Sequence, residues 1–163
     1  MSIGAQMLPE FDEEMATTRR LIEIVPSDRG EWKPHPKSFS LGHLAQLVSN
    51  MPGWLTQMLR DTELDLSRGS KYSLETTEAL LANFDKNVSE ARAVLSAAKD
   101  PDFDVAWSLK MGDRVLMTQP RRDVVRQTIN HLVHHRGQLS VYLRLNDVPL
   151  PSIYGPTADE GWG

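Results

Sequence analysis

Three of the five histidines of this chain fall in one short stretch, HLVHH, and two of them have the spacing of a metal-binding pair on a helix. With about 100° of rotation per helical residue and His131 set at 0°, His135 lies at about 40° and His134 at about −60°. His131 and His135 therefore share a face, from which two imidazoles can reach a single cation. His134 points away from the apolar face, so we expect it to be exposed. A third donor must come from another helix, and an isolated pair is also typical of histidines that only hydrogen-bond their neighbours.

Polar residues continue this face further along the same helix. Gln138 and Tyr142 lie at about −20° and about 20° on the same scale, at the edge of the apolar stripe. We expect them to orient the imidazoles or a bound substrate, or else to make helix–helix hydrogen bonds. Arg136, at about 140°, falls on the apolar side. Its guanidinium is expected to pair with a carboxylate at the surface or to anchor an anionic substrate.

Composition limits the chemistry further. The chain of 163 residues contains no cysteine, which excludes thiolate metal sites, disulfides and a cysteine nucleophile. Eighteen basic against 22 acidic residues give a net charge of −4, which argues against nucleic-acid binding. The acidic N-terminus does not resemble a signal peptide, and no apolar run is long enough to span a membrane. We expect a cytoplasmic protein without a membrane or nucleic-acid partner.

The histidines must be positioned by helices. Apolar residues spaced three and four apart predict four of them, over about residues 8–25, 40–58, 74–99 and 121–145. Pro52 lies inside the second helix, where we expect a kink or a short break. Residues 103–119 carry β-branched and aromatic residues around Gly112-Asp113, which is typical of an irregular or hairpin-like crossover. The tail after Leu145 is rich in proline and predicts an extended strap. The fold class is therefore all-α, a four-helix bundle with long crossover connections, formed by residues 1–163 as a single domain.

Two segments resemble the DinB-like superfamily of bacterial metal-binding four-helix bundles, which includes thiol-dependent transferases. WKPHPKSFSLGHLAQLVSNMPGW (residues 32–54) is similar to the entry of the family's second helix. NHLVHHRGQLSVYLRLNDVPLPSIYGPTADE (residues 130–160) is similar to its fourth helix and Pro-rich tail. The resemblance implies a divalent ion, zinc or nickel, held by one histidine of the second helix and two of the fourth. The fourth-helix pair would be His131 and His135.

The second helix departs from the family pattern, because the position that commonly carries the first ligand is Leu47 here. His43 lies one turn earlier and is the candidate third metal ligand. Three interpretations stay open: His43 replaces the usual ligand, water or a carboxylate completes a two-histidine site, or metal binding has been lost.

The resemblance implies a homodimer that acts on a small-molecule substrate as a metal-dependent transferase or hydrolase. The nucleophile would be an external low-molecular-weight thiol or a water activated by the metal. The alternative is a non-catalytic, stress-related binding protein with a degenerate metal site.

Overall fold

Four long helices make up most of the computed structural model, which describes residues 1–69 and 71–162. They are α1 (Ile3–Ile22), α2 (Leu41–Arg60), α3 (Thr77–Ala97) and α5 (Arg121–Leu145), with a short α4 (Asp100–Asp104) before the last. Helices α1 and α2 each pack against both α3 and α5. Ser70 and Gly163, which belong to the predicted single domain, lie outside the described residues.

The four predicted long helices are confirmed, with small differences at their ends. The predicted bounds of the last one, 121–145, agree with α5. Ser2, Ser40 and Thr76 cap α1, α2 and α3, because each side chain accepts a hydrogen bond from the backbone N–H three residues further on. The cap at Ser2 explains why α1 begins five residues before the predicted start at Leu8.

Of the kink or short break predicted at Pro52, the break is wrong, because α2 continues through this residue from Leu41 to Arg60. Pro52 is buried, as are Met51 and Leu55 beside it. A proline removes one backbone hydrogen bond from a helix, but the apolar face on both sides of Pro52 is held against the core. The core consists of apolar side chains from every long helix, and the following are fully buried: Phe11, Leu21, Ile22, Leu41, Ala45, Val48, Met51, Leu55, Ala91, Leu95, Val125, Leu132, Leu139 and Leu143.

The all-α prediction is wrong in one respect, because the structure contains a three-stranded sheet. Strands β2 (Ala106–Met111) and β3 (Arg114–Pro120) form a hairpin where an irregular or hairpin-like crossover is predicted, and Gly112 lies in its turn with φ 58°. Strand β1 (Glu63–Asp65), directly after α2, pairs parallel to β2. A three-residue strand is too short to show period-two alternation, and its partner comes from a distant part of the chain.

The C-terminal segment after α5 forms no helix or strand over residues 148–162 and lies against α1 and α5. Arg20 of α1 makes a bidentate pair with Glu160 at 2.7 and 2.8 Å and also donates to the backbone oxygen of Ser152. Arg144 of α5 pairs with Asp159. These contacts tie the segment to the two helices that flank it.

Candidate metal and ligand site

The two histidines predicted to form a pair are in direct contact on α5. His131 Nε2 and His135 Nε2 lie 2.9 Å apart, which is hydrogen-bond distance. On the other side of the ring, His135 Nδ1 lies 2.7 Å from Gln138 Oε1. If the amide oxygen accepts from Nδ1–H, neutral His135 presents a lone pair at Nε2, and His131 donates its Nε2–H to it. The spacing deduced from helix periodicity therefore does bring these imidazoles to one point.

The protonation state of His131 suits a metal ligand. Partial burial of the ring lowers the pKa of His131 below its usual value of 6.5, although the residue as a whole is exposed, and the neighbouring His135 and His134 lower it further by charge repulsion. Imidazole binds metals in its neutral form, which this environment favours near neutral pH. With metal–nitrogen bonds of about 2.0–2.1 Å, two nitrogens lie about 2.8–3.0 Å apart at the right angle of octahedral coordination and about 3.3–3.4 Å apart in a tetrahedral zinc site. The observed 2.9 Å between the two Nε2 atoms is the octahedral separation, and a tetrahedral ion would need the rings to move apart by about 0.4–0.5 Å.

A large cleft runs beside this pair, between α2, α3, α5 and the sheet. Its volume is about 1770 Å³, and His131 lies in its wall. The ring of Trp54, from α2, packs 6.0 Å from the ring of His131, centroid to centroid. Leu47 and His43 also line the cleft from α2. The second-helix positions considered from sequence therefore face the same space as His131.

His43 is engaged with aromatic rings. Its ring stacks on Tyr72 at 4.7 Å with an interplanar angle of 15°, and the ring of Phe39 lies 4.3 Å away, centroid to centroid, tilted by 44°. Burial, and secondarily the charge of Lys33, lower the pKa of His43. Across the described parts of the chain, no group of three or more His, Cys, Asp or Glu side chains is arranged to hold a metal ion. The donors brought together are His131 and His135, and the role of His43 as a third ligand stays a prediction.

A model of the DinB family matches residues 1–161 of this chain. The chain belongs to the DinB family. Its structure is similar to that of a DinB-like protein, YjoA, from Bacillus subtilis, with a TM-score of 0.72 and 19% identity, covering 91% of this chain and 97% of that one. A DinB-like protein from Bacillus cereus ATCC 10987 gives a TM-score of 0.74 with 20% identity and coverage of 94% and 98%. The uncharacterized protein YrdA of Bacillus subtilis (strain 168) is 23% identical over 154 residues, which cover 94% of this chain and 89% of YrdA.

The polar stripe predicted along the last helix of this DinB-family protein is divided between two environments. Gln138 contacts His135, as its position predicts. The ring of Tyr142 instead packs edge-on against Trp32, with centroids 5.6 Å apart and an interplanar angle of 80°. Trp32 comes from the loop before α2, so helix periodicity alone gave no signal for this contact. His134 is exposed, as predicted.

Arg136 is buried on the side of α5 that faces α1. Its Nη1 lies 2.5 Å from Glu14 Oε2 and also donates to the backbone oxygen of Glu14 and to Thr18 Oγ1. Its Nη2 donates to the hydroxyl of Tyr154 at 2.8 Å, and that hydroxyl donates to Glu14 Oε1 at 2.7 Å. Of the two interpretations from sequence, pairing with a carboxylate matches these contacts, although the pair is internal and not at the surface. Sequence reasoning missed Glu14 and Tyr154 because both are distant in the chain.

The described helices of this DinB-family protein include none that is both long and apolar enough to cross a membrane.

Proposed function

We propose that this DinB-family protein binds a divalent transition metal, zinc or nickel, through His131 and His135. The observation that carries the proposal is the 2.9 Å contact between the two Nε2 atoms at the wall of the cleft. Two neutral imidazoles suit zinc and nickel, which accept nitrogen donors. Gln138 fixes the ring orientation of His135 through its Nδ1, which is the usual partner arrangement for a ligating histidine.

The remaining ligands are proposed to come from outside α5. Leu47 cannot bind a metal, and His43 would have to leave its stack with Tyr72 to reach the pair. Water, a carboxylate or the substrate itself would otherwise complete the coordination. Open positions of this kind distinguish catalytic sites from closed structural ones.

The activity that we propose is a metal-dependent transfer or hydrolysis of a small-molecule substrate held in the cleft. When bound, a divalent ion lowers the pKa of a thiol or water and so supplies a nucleophile near neutral pH. Because the chain contains no cysteine, a thiol would be an external low-molecular-weight cofactor. The chain's own residues would bind the ion through His131 and His135, hold the His135 ring through Gln138, and shield one side of the pair with Trp54.

A second candidate is a non-catalytic binding protein whose metal site has degenerated. Leu47 at the usual ligand position favours it, as does the absence of a three-residue donor cluster from the described residues. In that case the cleft binds its ligand without chemistry.

For both candidate functions we propose the same architecture, the four-helix bundle of the family. The C-terminal segment lies across this bundle as an extended strap. The packing of α1 and α2 against both α3 and α5 supports the bundle. The contacts of Arg20 and Arg144 with Glu160 and Asp159 support the strap. Assembly as a homodimer stays a prediction.

Calorimetric titration with Zn²⁺ and Ni²⁺ tests the metal proposal. Wild type is expected to bind one ion per chain, and His131→Ala or His135→Ala to weaken binding by more than about tenfold. His134→Ala is the matched control, since His134 lies on the same helix but on another face, and it should bind as wild type does. Equal binding by all three variants would contradict the proposal. His43→Ala then tells whether His43 contributes a third ligand.

A further inference from the structure

A network of hydrogen bonds joins α2 to α3 at one wall of the cleft. Its centre is Ser49 of α2, whose hydroxyl donates to the backbone oxygen of Leu80 at 2.8 Å. Asn83 Nδ2 donates to Ser49 Oγ and to Asn50 Oδ1, both at 2.8 Å. Asn87 Nδ2 donates to the backbone oxygen of Ser49 at 3.1 Å. The three asparagines all line the cleft, and their shared partners hold them together there.

The network fixes the orientation of the two α3 amides. Since the hydroxyl hydrogen of Ser49 is donated to Leu80, the group of Asn83 that faces Ser49 must be its NH2. The same holds for Asn87, because a backbone oxygen can only accept. Neither Asn83 Oδ1 nor Asn87 Oδ1 accepts a hydrogen bond from the described residues, and neither is among the side-chain atoms buried there without a partner. Both oxygens are therefore accessible acceptors in the cleft wall.

Glu90 continues this row of acceptors along α3. Positions 83, 87 and 90 are spaced four and three apart, so their side chains share one face of the helix, with neighbouring Cβ atoms about 5–6 Å apart. Glu90 is half-buried and also lines the cleft. Glu63 of the same cleft is paired with Lys110 at 3.4 Å, whereas no ion pair between described residues involves Glu90. Its carboxylate is thus available to a ligand.

The charges of the cleft favour a cation at this wall. Among the described residues that line the cleft, four are acidic, two are arginines and none is a lysine. Helix α2 has no charged residue before Arg60, and Glu90 is the charged residue that α3 contributes to the lining. A carboxylate ligand would enter against this acidic excess, whereas an ammonium group would be attracted by it.

We propose that the α3 wall of the cleft is a binding site for a primary ammonium group on an apolar body. An ammonium carries three N–H donors and no acceptor, which matches the acceptors that Asn83, Asn87 and Glu90 present. Its nitrogen lies between Asn87 Oδ1 and the carboxylate of Glu90, and Asn83 Oδ1 is a further acceptor one turn away. The apolar body lies on α2 at Gly53 and Trp54, which line the same cleft.

Gly53 is what lets the amide of Asn87 approach α2, because a Cβ at this position would lie 3.1 Å from Asn87 Oδ1. The ammonium site goes beyond the proposed metal function and does not rest on it, since none of its three acceptors belongs to the histidine pair.

Saturation-transfer NMR of added ligands with the full-length protein tests the site. EDTA is present throughout, because amines also coordinate metal ions and binding at a metal must be kept separate. Benzylammonium is compared with three probes that share its ring. Benzyltrimethylammonium has the charge but no N–H donor, benzamide has donors and an acceptor but no charge, and benzoate is an anion. Benzylammonium is expected to bind in a saturable way, and the other three at least about tenfold more weakly.

Variants isolate the acceptors. Glu90→Gln removes the charge but keeps the shape of the side chain, and it is expected to weaken benzylammonium binding by about three- to tenfold. Glu78→Gln is the matched control, since Glu78 is exposed on the same helix outside the cleft, and it should bind as wild type does. Asn87→Ala removes one carbonyl and should weaken binding by about tenfold. Asn130→Ala, on α5 outside the cleft, is its control. The Tm of each variant shows whether it is folded, and Glu90→Gln decides alone if Asn87→Ala does not fold.

Three results would overturn the site. The first is the absence of saturable benzylammonium binding. The second is equal affinity of wild type and the folded cleft variants, which would place the bound amine elsewhere. The third is binding of benzamide or benzyltrimethylammonium as tight as that of benzylammonium. Benzamide would then be using the N–H donors of Asn50 as well, and benzyltrimethylammonium would show that charge and ring suffice without a hydrogen bond.

Discussion

His131 and His135 donate and accept a single hydrogen bond between their Nε2 atoms, 2.9 Å apart across one turn of α5. In the metal-free protein a proton must lie between these two nitrogens, because two lone pairs cannot face each other at this distance. A metal ion would take the Nε2 lone pairs of both rings, so the proton of His131 would move from Nε2 to Nδ1. Metal binding at this pair is expected to weaken as pH falls, because a protonated imidazole must lose a proton before it can bind the ion.

The first prediction concerns Gln138, which fixes the ring of His135. Gln138→Leu removes the acceptor of the Nδ1–H and is expected to lower the affinity for Zn²⁺ by about 10- to 100-fold. Gln138→Glu retains an acceptor at nearly the same place, so it should bind zinc at least as well as wild type. Calorimetry on both variants measures the difference. Unchanged affinity in Gln138→Leu would show that the hydrogen bond does not position the ligand.

The second prediction concerns Leu47, which lies in the cleft wall where the family resemblance places a ligand. Leu47→His should add an imidazole on α2 and raise the affinity for Zn²⁺, which a melting experiment detects as a larger zinc-induced rise in Tm. Zinc at 100 times its Kd stabilises a protein by about 2.7 kcal/mol. Leu47→Gln controls for the loss of an apolar side chain. If both variants respond to zinc alike, α2 does not supply the third ligand at this position.

Local periodicity is sufficient to predict the long helices and the histidine pair. Both depend on contacts between residues three or four apart, which the 3.6-residue turn fixes without knowledge of the rest of the fold. This is why α5 and the shared face of His131, His135 and Gln138 follow from the sequence.

Contacts between segments that are far apart in the chain could not be predicted from the sequence. Strand β1 forms because α2 delivers three residues to the edge of β2, and nothing in those residues alone indicates a strand. The stacking of His43 on Tyr72 and the packing of Tyr142 on Trp32 likewise join separate elements. Helix geometry gives a side chain's direction, but its partner depends on which segment packs there.

The third prediction concerns the buried pair of Arg136 and Glu14. Arg136→Met leaves the carboxylate of Glu14 without its charge partner in the interior, so the free energy of unfolding should fall by about 3–5 kcal/mol. Tyr154→Phe removes a hydroxyl bonded to both groups and should cost about 1 kcal/mol. Urea denaturation at neutral pH measures both changes.

Arg92 provides a matched control for this pair, since it makes a bidentate contact with Asp12 at 2.8 and 3.0 Å on the surface. Arg92→Met should cost less than about 1 kcal/mol, because exposed ion pairs contribute little. A loss in Arg136→Met as small as that in Arg92→Met would contradict a stabilising role of the buried pair.

The last prediction concerns the titration of His43. Because burial lowers the pKa of His43 below 6.5 in the folded protein, the unfolded chain binds more protons between that lowered value and 6.5. The free energy of unfolding should therefore rise with pH through this window and level off above about pH 6.5. In His43→Gln, the free energy of unfolding should depend less steeply on pH within this window. The pH dependence that remains is due to His131, whose pKa is lowered as well.

Proton NMR of the imidazole Cε1–H signals measures the pKa of His43 directly. Lys33→Ala should raise this pKa but leave it below 6.5, because burial is the larger cause and the lysine charge the smaller. Lys37→Ala removes a lysine from the same loop and should leave the pKa unchanged. Added Zn²⁺ then separates the interpretations of the third ligand. If His43 binds the ion, its titration disappears together with that of His131. If His43 goes on titrating while His131 stops, the ion is held by α5 alone, and the stack on Tyr72 is the native environment of His43.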